Sequence, residues 1–164
     1  MIRQVLIEQF NRCYDENGWF VSVRNAIDDI TGEQADWNPD GTDNSIWETL
    51  THITYYNNAY LQRFKGIDFE YEISTNDESF KGSAFPSDEE WRKTVAEFDA
   101  VMIEFRELLI SADESKLSEP VPQKPERIWY DLIADINAHN AYHAGQILLI
   151  RKLQGSWNPK KGVS

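Results

Sequence analysis

The chain repeats apolar residues at steps of three and four positions in four separate segments. This period is typical of helices that bury one face and expose the other to water. The predicted helices span about residues 3–30, 45–65, 87–110 and 127–154. Because no alternating run is long enough to build a sheet, we predict an all-α protein, a four-helix bundle that forms one domain over residues 1–164.

Capping residues mark several of the predicted boundaries. Ser45 is followed three positions later by Glu48, a spacing that lets two side chains satisfy N–H groups at a helix start. Ser87 and Glu90 have the same spacing at the start of the third segment. Gly18 lies inside the first segment, but the apolar spacing continues on both sides of it. We therefore predict one continuous first helix, which Gly32 ends.

The connection between the second and third helices is about 20 residues long, from Gly66 to Pro86. Connections of this length are uncommon in compact domains and usually have a structural or functional role. It could span roughly 66 Å when extended, whereas a helix of about 20 residues is about 30 Å long. It could therefore return the chain along the bundle and make the second and third helices parallel. The bundle would then have up-down-down-up topology. The spacing also allows a loop excursion between antiparallel helices. The stretch Ser111–Pro125, with three prolines, is predicted to be a loop.

Composition and charge limit the class of protein. The chain has 164 residues, of which 41% are hydrophobic and 27% charged, typical of a soluble globular domain. Its net charge of −12 disfavours nucleic-acid binding, because phosphates would be repelled. No apolar run approaches the roughly 20 residues that cross a membrane. The single cysteine, Cys13, excludes an internal disulfide and is predicted to be a small buried apolar residue. We therefore expect a protein of the reducing cytoplasm.

The histidines carry the candidate chemistry. His139 and His143 are four positions apart on the fourth predicted helix, so their side chains lie on the same face. They stand between Ile136 and Ile147 on an apolar stripe, where unsatisfied imidazole nitrogens would be costly. His52 flanks the apolar stripe of the second helix. One divalent metal ion could bind all three rings. The alternative, which spacing leaves open, is that each ring is a hydrogen-bonded core residue.

Three motifs give the chain a family resemblance. They are A-D-W-N-P before the second helix, S-I-W-E-T-L-T-H-I within it, and H-N-A-Y-H-A-G-Q-I-L-L-I-R in the fourth. With these motifs the chain resembles the DinB-like superfamily of four-helix-bundle metalloproteins, which includes the YfiT-like thiol transferases. The resemblance implies that His52 is the first metal ligand and that His139 and His143 are the second and third. It also implies zinc or nickel as the metal, an up-down-down-up bundle and a homodimer.

The resemblance further implies a function. Three histidine ligands leave a metal ion with an open position, as in catalytic zinc sites. Related proteins use such a site to activate a low-molecular-weight thiol for attack on an electrophile. The leading hypothesis is therefore a metal-dependent thiol S-transferase. The alternative is a non-catalytic, stress-related metal-binding protein that forms a dimeric bundle. The motif H-N-A-Y-H lacks the glutamate that acts as general base in the zinc-protease helix, so protease chemistry is not supported.

Polar residues one helical turn from the histidines are candidates for orienting the imidazoles. Asp135 and Glu48 lie four positions before His139 and His52, and either could accept a hydrogen bond from a ring nitrogen. Each could equally be a solvated charge, and Glu48 also has the capping role. Gln146 could line the site or bridge helices. Three nearby tyrosines are predicted to be core or interface residues: Tyr55, Tyr56 and Tyr142.

Overall fold

The computed structural model describes residues 2–39 and 44–162 and is mostly helical. In chain order the helices are α1 (Ile2–Tyr14), α2 (Val23–Ala26), α3 (Gly32–Asp36), α4 (Ile46–Phe64), α5 (Asp88–Ser111), α6 (Glu114–Leu117) and α7 (Trp129–Leu153). Two short strands are β1 (Pro120–Val121) and β2 (Lys124–Ile128), and 3-10 turns lie at Asn76–Ser79 and Pro159–Lys161. The four long helices, α1, α4, α5 and α7, surround the core, so the predicted all-α bundle is confirmed.

The first predicted helix, residues 3–30, is wrong in its length, because α1 ends at Tyr14. Asn17 holds the turn that follows. Its side-chain oxygen accepts hydrogen bonds from the Ser22 backbone N–H at 3.1 Å and from the Asn25 amide at 3.0 Å. Short polar side chains of this kind compete with helical backbone bonds. The apolar period continues past the break because α2 packs on α7 in the same core.

The predicted loop Ser111–Pro125 contains α6, β1 and the start of β2, and α7 begins at Trp129 rather than near Arg127. The strands form an antiparallel hairpin. Gln123 lies in its turn with a φ of 67°, the left-handed region that tight turns use. Proline is tolerated in such a hairpin because each strand has a free edge. The strands are too short to produce a readable alternating pattern.

Helices α4 and α5 run in the same direction. Trp47 contacts Trp91 near the start of both helices, with ring centroids 5.2 Å apart. Phe64 contacts Phe105 near the end of both, at 5.9 Å. The long connection between them therefore returns the chain along the length of the bundle.

Helix α1 runs antiparallel to α5. Phe10 packs against Phe105 at 5.7 Å, and Tyr14, farther along α1, packs against Phe98, which lies earlier in α5, at 5.6 Å. Both contacts are edge-to-face, an arrangement that aromatic rings favour. Among the described residues, no helix is sufficiently long and apolar to cross a membrane.

Gly32 provides a stability test of the packing between α3 and α5. It was expected to end a helix, but it is the first residue of α3, and its N–H donates to the Asp88 carboxylate at 2.8 Å. A Cβ added there would lie 2.4 Å from the Ser87 carbonyl oxygen. We expect Gly32→Ala to lower the free energy of unfolding by about 1–3 kcal/mol, measured by urea denaturation.

Gly145→Ala is the matched control for that substitution. Gly145 lies inside α7, and nothing lies within 4 Å of an added Cβ. Alanine favours a helix interior over glycine by about 1 kcal/mol, so this variant should be as stable as the parent or more stable. If Gly32→Ala were equally well tolerated, the close contact between the two helix starts would be contradicted.

Candidate metal centre

The site lies between α4 and α7, which run antiparallel. Phe64, at the end of α4, packs on Trp129, at the start of α7, with ring centroids 4.9 Å apart. Asn57 and Asn140 are both buried and exchange two amide hydrogen bonds, of 2.9 and 3.1 Å. A buried amide pair of this kind would leave unsatisfied groups if either helix shifted. It therefore holds α4 and α7 in register beside the histidines.

The three predicted histidines converge on one point. Nε2 of His139 lies 3.0 Å from Nε2 of His52 and 3.1 Å from Nε2 of His143. One ligand atom from each of the three residues lies within 4.8 Å of the other two. His52 and His143 are buried, whereas His139 is half-buried and reaches the surface of a cavity. The structure thus brings together all three residues that the sequence singled out.

Hydrogen bonds on the far side of two rings determine which nitrogen faces the cluster. The Ser79 hydroxyl donates to the Asn76 carbonyl at 2.5 Å, so its oxygen accepts from Nδ1 of His52 at 2.7 Å. Gln146 Oε1 accepts from Nδ1 of His143 at 2.6 Å. Because a neutral imidazole carries one proton, both rings then present an unprotonated Nε2 to the cluster.

This donor set suits a divalent ion. Zinc binds imidazole nitrogen at about 2.0–2.1 Å, which separates two nitrogens in a tetrahedral site by about 3.3 Å. The two Nε2 separations in the structure, 3.0 and 3.1 Å, are close to that value. Unprotonated nitrogens at this distance repel one another unless a cation or a proton lies between them. The arrangement of the three histidines is therefore compatible with metal binding.

Burial keeps the imidazoles in the neutral form that binds metals. Desolvation, with a smaller contribution from the neighbouring rings, lowers the pKa of His52 to about 3. The same causes lower the pKa of His143 to about 4, and desolvation also lowers the pKa of His139. Protons therefore do not compete with a metal ion for these nitrogens at neutral pH.

An aromatic wall covers the His52 side of the cluster. Phe80 stacks on the His52 ring, with centroids 3.9 Å apart and planes 12° apart. Tyr56 meets the same ring edge-on at 5.0 Å, and its hydroxyl donates to the Asn76 side chain at 3.0 Å. Phe80, Asn76 and Ser79 all come from the connection between α4 and α5, so this connection builds part of the site.

The other candidate residues have different roles. Glu48 closes the cap of α4 by accepting from the Ser45 N–H at 2.8 Å. Asp135 pairs with Arg127 at 2.8 Å. Neither forms a hydrogen bond with an imidazole. Gln146 does, and its amide also contacts the Tyr142 hydroxyl.

Several residues that support the site were not predicted from the sequence, among them Ser79, Phe80 and the pair of Asn57 and Asn140. Ser79 lies in an irregular connection 27 positions from His52, and no periodicity marks it. The sequence gives only a weak indication of the pair of Asn57 and Asn140, in that each is a polar residue on the buried face of a long helix.

A cavity of about 330 Å³ opens beside His139. Its wall combines Tyr56 and Tyr60 from α4 with Ile136 from α7. Of the three histidines, His139 is the one that lines this cavity. A small molecule in the cavity would therefore approach the cluster from the His139 side.

Comparison with known families agrees with this geometry. A family model described as the DinB superfamily matches residues 21–147, more than three quarters of the chain. The matched region contains His52, His139 and His143 together with Ser79 and Gln146. No curated protein and no solved structure matches the chain significantly. The match over residues 21–147 is sufficient to assign the family, and the chain belongs to the DinB superfamily.

Proposed function

We propose that His52, His139 and His143 bind one divalent metal ion, zinc or nickel, and that the protein is a transferase which uses this ion to activate a low-molecular-weight thiol. The observation that carries the proposal is the convergence of three Nε2 atoms, two of them on rings whose Nδ1 atoms donate to Ser79 and Gln146. A metal held by three imidazoles keeps a position open and stabilises a bound thiol as the thiolate.

The chain's own residues prepare the site for this chemistry. Ser79 and Gln146 fix the orientation of two imidazoles, as partners of metal-binding histidines commonly do. Phe80 and Tyr56 exclude water from one side of the cluster. The cavity beside His139 provides space for the thiol and for an electrophile.

The thiol has to come from a small molecule. Cys13 is the only cysteine of the chain, and it is buried in α1. Its thiol donates to the Asn137 carbonyl at 3.1 Å, and burial raises its pKa to about 12. A thiol with so high a pKa is a poor nucleophile at neutral pH. Cys13 is a structural residue, which agrees with its predicted role.

A non-catalytic metal-binding protein is the second candidate. One observation favours it: within residues 2–39 and 44–162, no carboxylate forms a hydrogen bond with the three imidazoles, because Glu48 and Asp135 have other partners. A thiolate nucleophile does not require such a base, so the transferase stays the leading proposal. The homodimer stays a prediction of the family resemblance.

The histidine proposal is tested by measuring metal content and thiol transfer together. Protein purified without a histidine tag should contain about one equivalent of metal and should transfer a low-molecular-weight thiol to a model electrophile. His139→Ala removes one of three ligands and should lose both properties, because two imidazoles hold a divalent ion weakly. Activity that persists after metal is lost would contradict the transferase, and stoichiometric metal without activity would favour the second candidate.

Ser79→Ala tests the orienting hydrogen bond without touching a ligand. It removes the acceptor of the His52 Nδ1–H and should weaken metal affinity by about 10- to 100-fold, the usual effect of losing such a partner. A competition titration with a metal-binding dye measures the affinity.

Ser74→Ala is the matched control for Ser79→Ala. Ser74 lies in the same connection but is exposed, and its side chain forms no hydrogen bond with His52. Equal metal affinities for the two variants would show that the Ser79 contact has no role in metal binding.

A further inference from the structure

The cavity beside His139 contains two cationic side chains, Lys124 and Arg127, in a chain whose net charge is −12. Both come from β2. The hairpin turn at Gln123 brings the first residue of this strand over the cavity. The hairpin thus places two positive charges next to the candidate metal centre. Metal binding by the three histidines does not require these charges.

Lys124 has no acidic partner within the part of the chain that the structure describes. Its ammonium donates to the Tyr60 hydroxyl at 2.9 Å and lies 5.5 Å from the centre of the same ring. The side chain is only half-exposed. An ammonium that is partly removed from water and forms no ion pair gains strongly from an anion.

Arg127 is paired, but its partner lies in the same cavity. Its guanidinium donates to Asp135 at 2.8 Å, and Asp135 is one helical turn from His139. The guanidinium has further N–H donors that this single contact does not use. It can therefore contribute a second contact to an anion that Lys124 binds.

We propose that this cavity binds the carboxylate end of the small molecule whose thiol end reaches the histidine cluster, with Lys124 as the counter-ion and Arg127 as a second contact. The inference rests on the proposed function, because it assumes that a thiol approaches His139. The volume of about 330 Å³ limits the occupant to a small molecule, at the lower end of ligand cavities. Lys124 is then a specificity-determining residue that selects anionic thiols over neutral ones.

The test compares pairs of thiols of equal chain length that end in a carboxylate or in an alcohol: 4-mercaptobutyrate with 4-mercaptobutanol, and 6-mercaptohexanoate with 6-mercaptohexanol. Each thiol is titrated into the cobalt-loaded protein, and the sulfur-to-cobalt absorption band reports the dissociation constant. At one of the two lengths or both, the carboxylate should bind about tenfold more tightly than the alcohol, which is the usual contribution of a charged hydrogen bond. Equal affinities at both lengths would overturn the proposal.

Lys124→Gln should reduce that preference severalfold, because it removes the counter-ion and leaves Arg127 as the remaining contact. Lys152→Gln is the matched control, because Lys152 is exposed near the end of α7 and the substitution changes the net charge equally. It should keep the preference. If Lys124→Gln also kept it, Lys124 would not be the counter-ion.

Asp135→Asn gives a gain-of-binding test that does not depend on the Lys124 variant folding. It removes the negative charge from the cavity and frees Arg127, so anionic thiols should bind about two- to fivefold more tightly. Asp131→Asn, one turn earlier on α7 and also exposed, should have a smaller effect, because Asp131 acts on Arg127 through its charge and does not pair with it. Unchanged or weaker binding in Asp135→Asn would contradict the role given to Arg127.

Titration of the metal-free protein with butyrate and butanol separates this proposal from the proposed function. Amide shifts in the nuclear magnetic resonance spectrum should move around Lys124 with butyrate alone, and not in Lys124→Gln. If cobalt failed to bind but butyrate still did so, the metal proposal would fail and the anion site would stand. If thiols bound cobalt without any preference for charge and butyrate produced no shifts, the anion site would fail and the metal proposal would stand.

Discussion

The packing of α4 against α7 brings two buried imidazoles and one half-buried imidazole to one point, and the rest of the site depends on it. Unsatisfied polar nitrogens in an apolar interior are costly, and two of these rings already use Nδ1 to donate to Ser79 and Gln146. Their Nε2 atoms therefore need a proton donor or a cation in the space that the rings share. The paired amides of Asn57 and Asn140 hold the two helices in the register that this geometry requires.

The topology of the bundle and the construction of the site are linked. Because α4 and α5 are parallel, the chain has to return along the bundle between them. That connection passes the histidine cluster and contributes Ser79, which orients one ring, and Phe80, which stacks on it. A direct turn between antiparallel helices would be too short to supply these residues. The length of this connection therefore serves two purposes: it allows α4 and α5 to be parallel, and it supplies residues to the histidine cluster.

The sequence predicted those features that depend on local spacing. The apolar period located α4, α5 and α7 because each has a long buried stripe, and the four-residue step of His139 and His143 placed both on one face. His52 was joined to them through family resemblance, since helix packing cannot be read from spacing. The break after α1 was missed because α1 and α2 bury residues in the same core. The contact of Ser79 and the hairpin at Lys124 were missed because both depend on tertiary structure.

X-ray absorption spectroscopy at the metal edge of protein purified without a histidine tag tests the central claim most directly. The three-histidine site predicts nitrogen or oxygen neighbours at about 2.0–2.1 Å together with the outer-shell scattering of three imidazole rings. His143→Ala should lose most of the metal, and any metal that remains should show the scattering of two rings. A spectrum without imidazole scattering, or one that is unchanged in His143→Ala, would contradict the assignment of the metal to these residues.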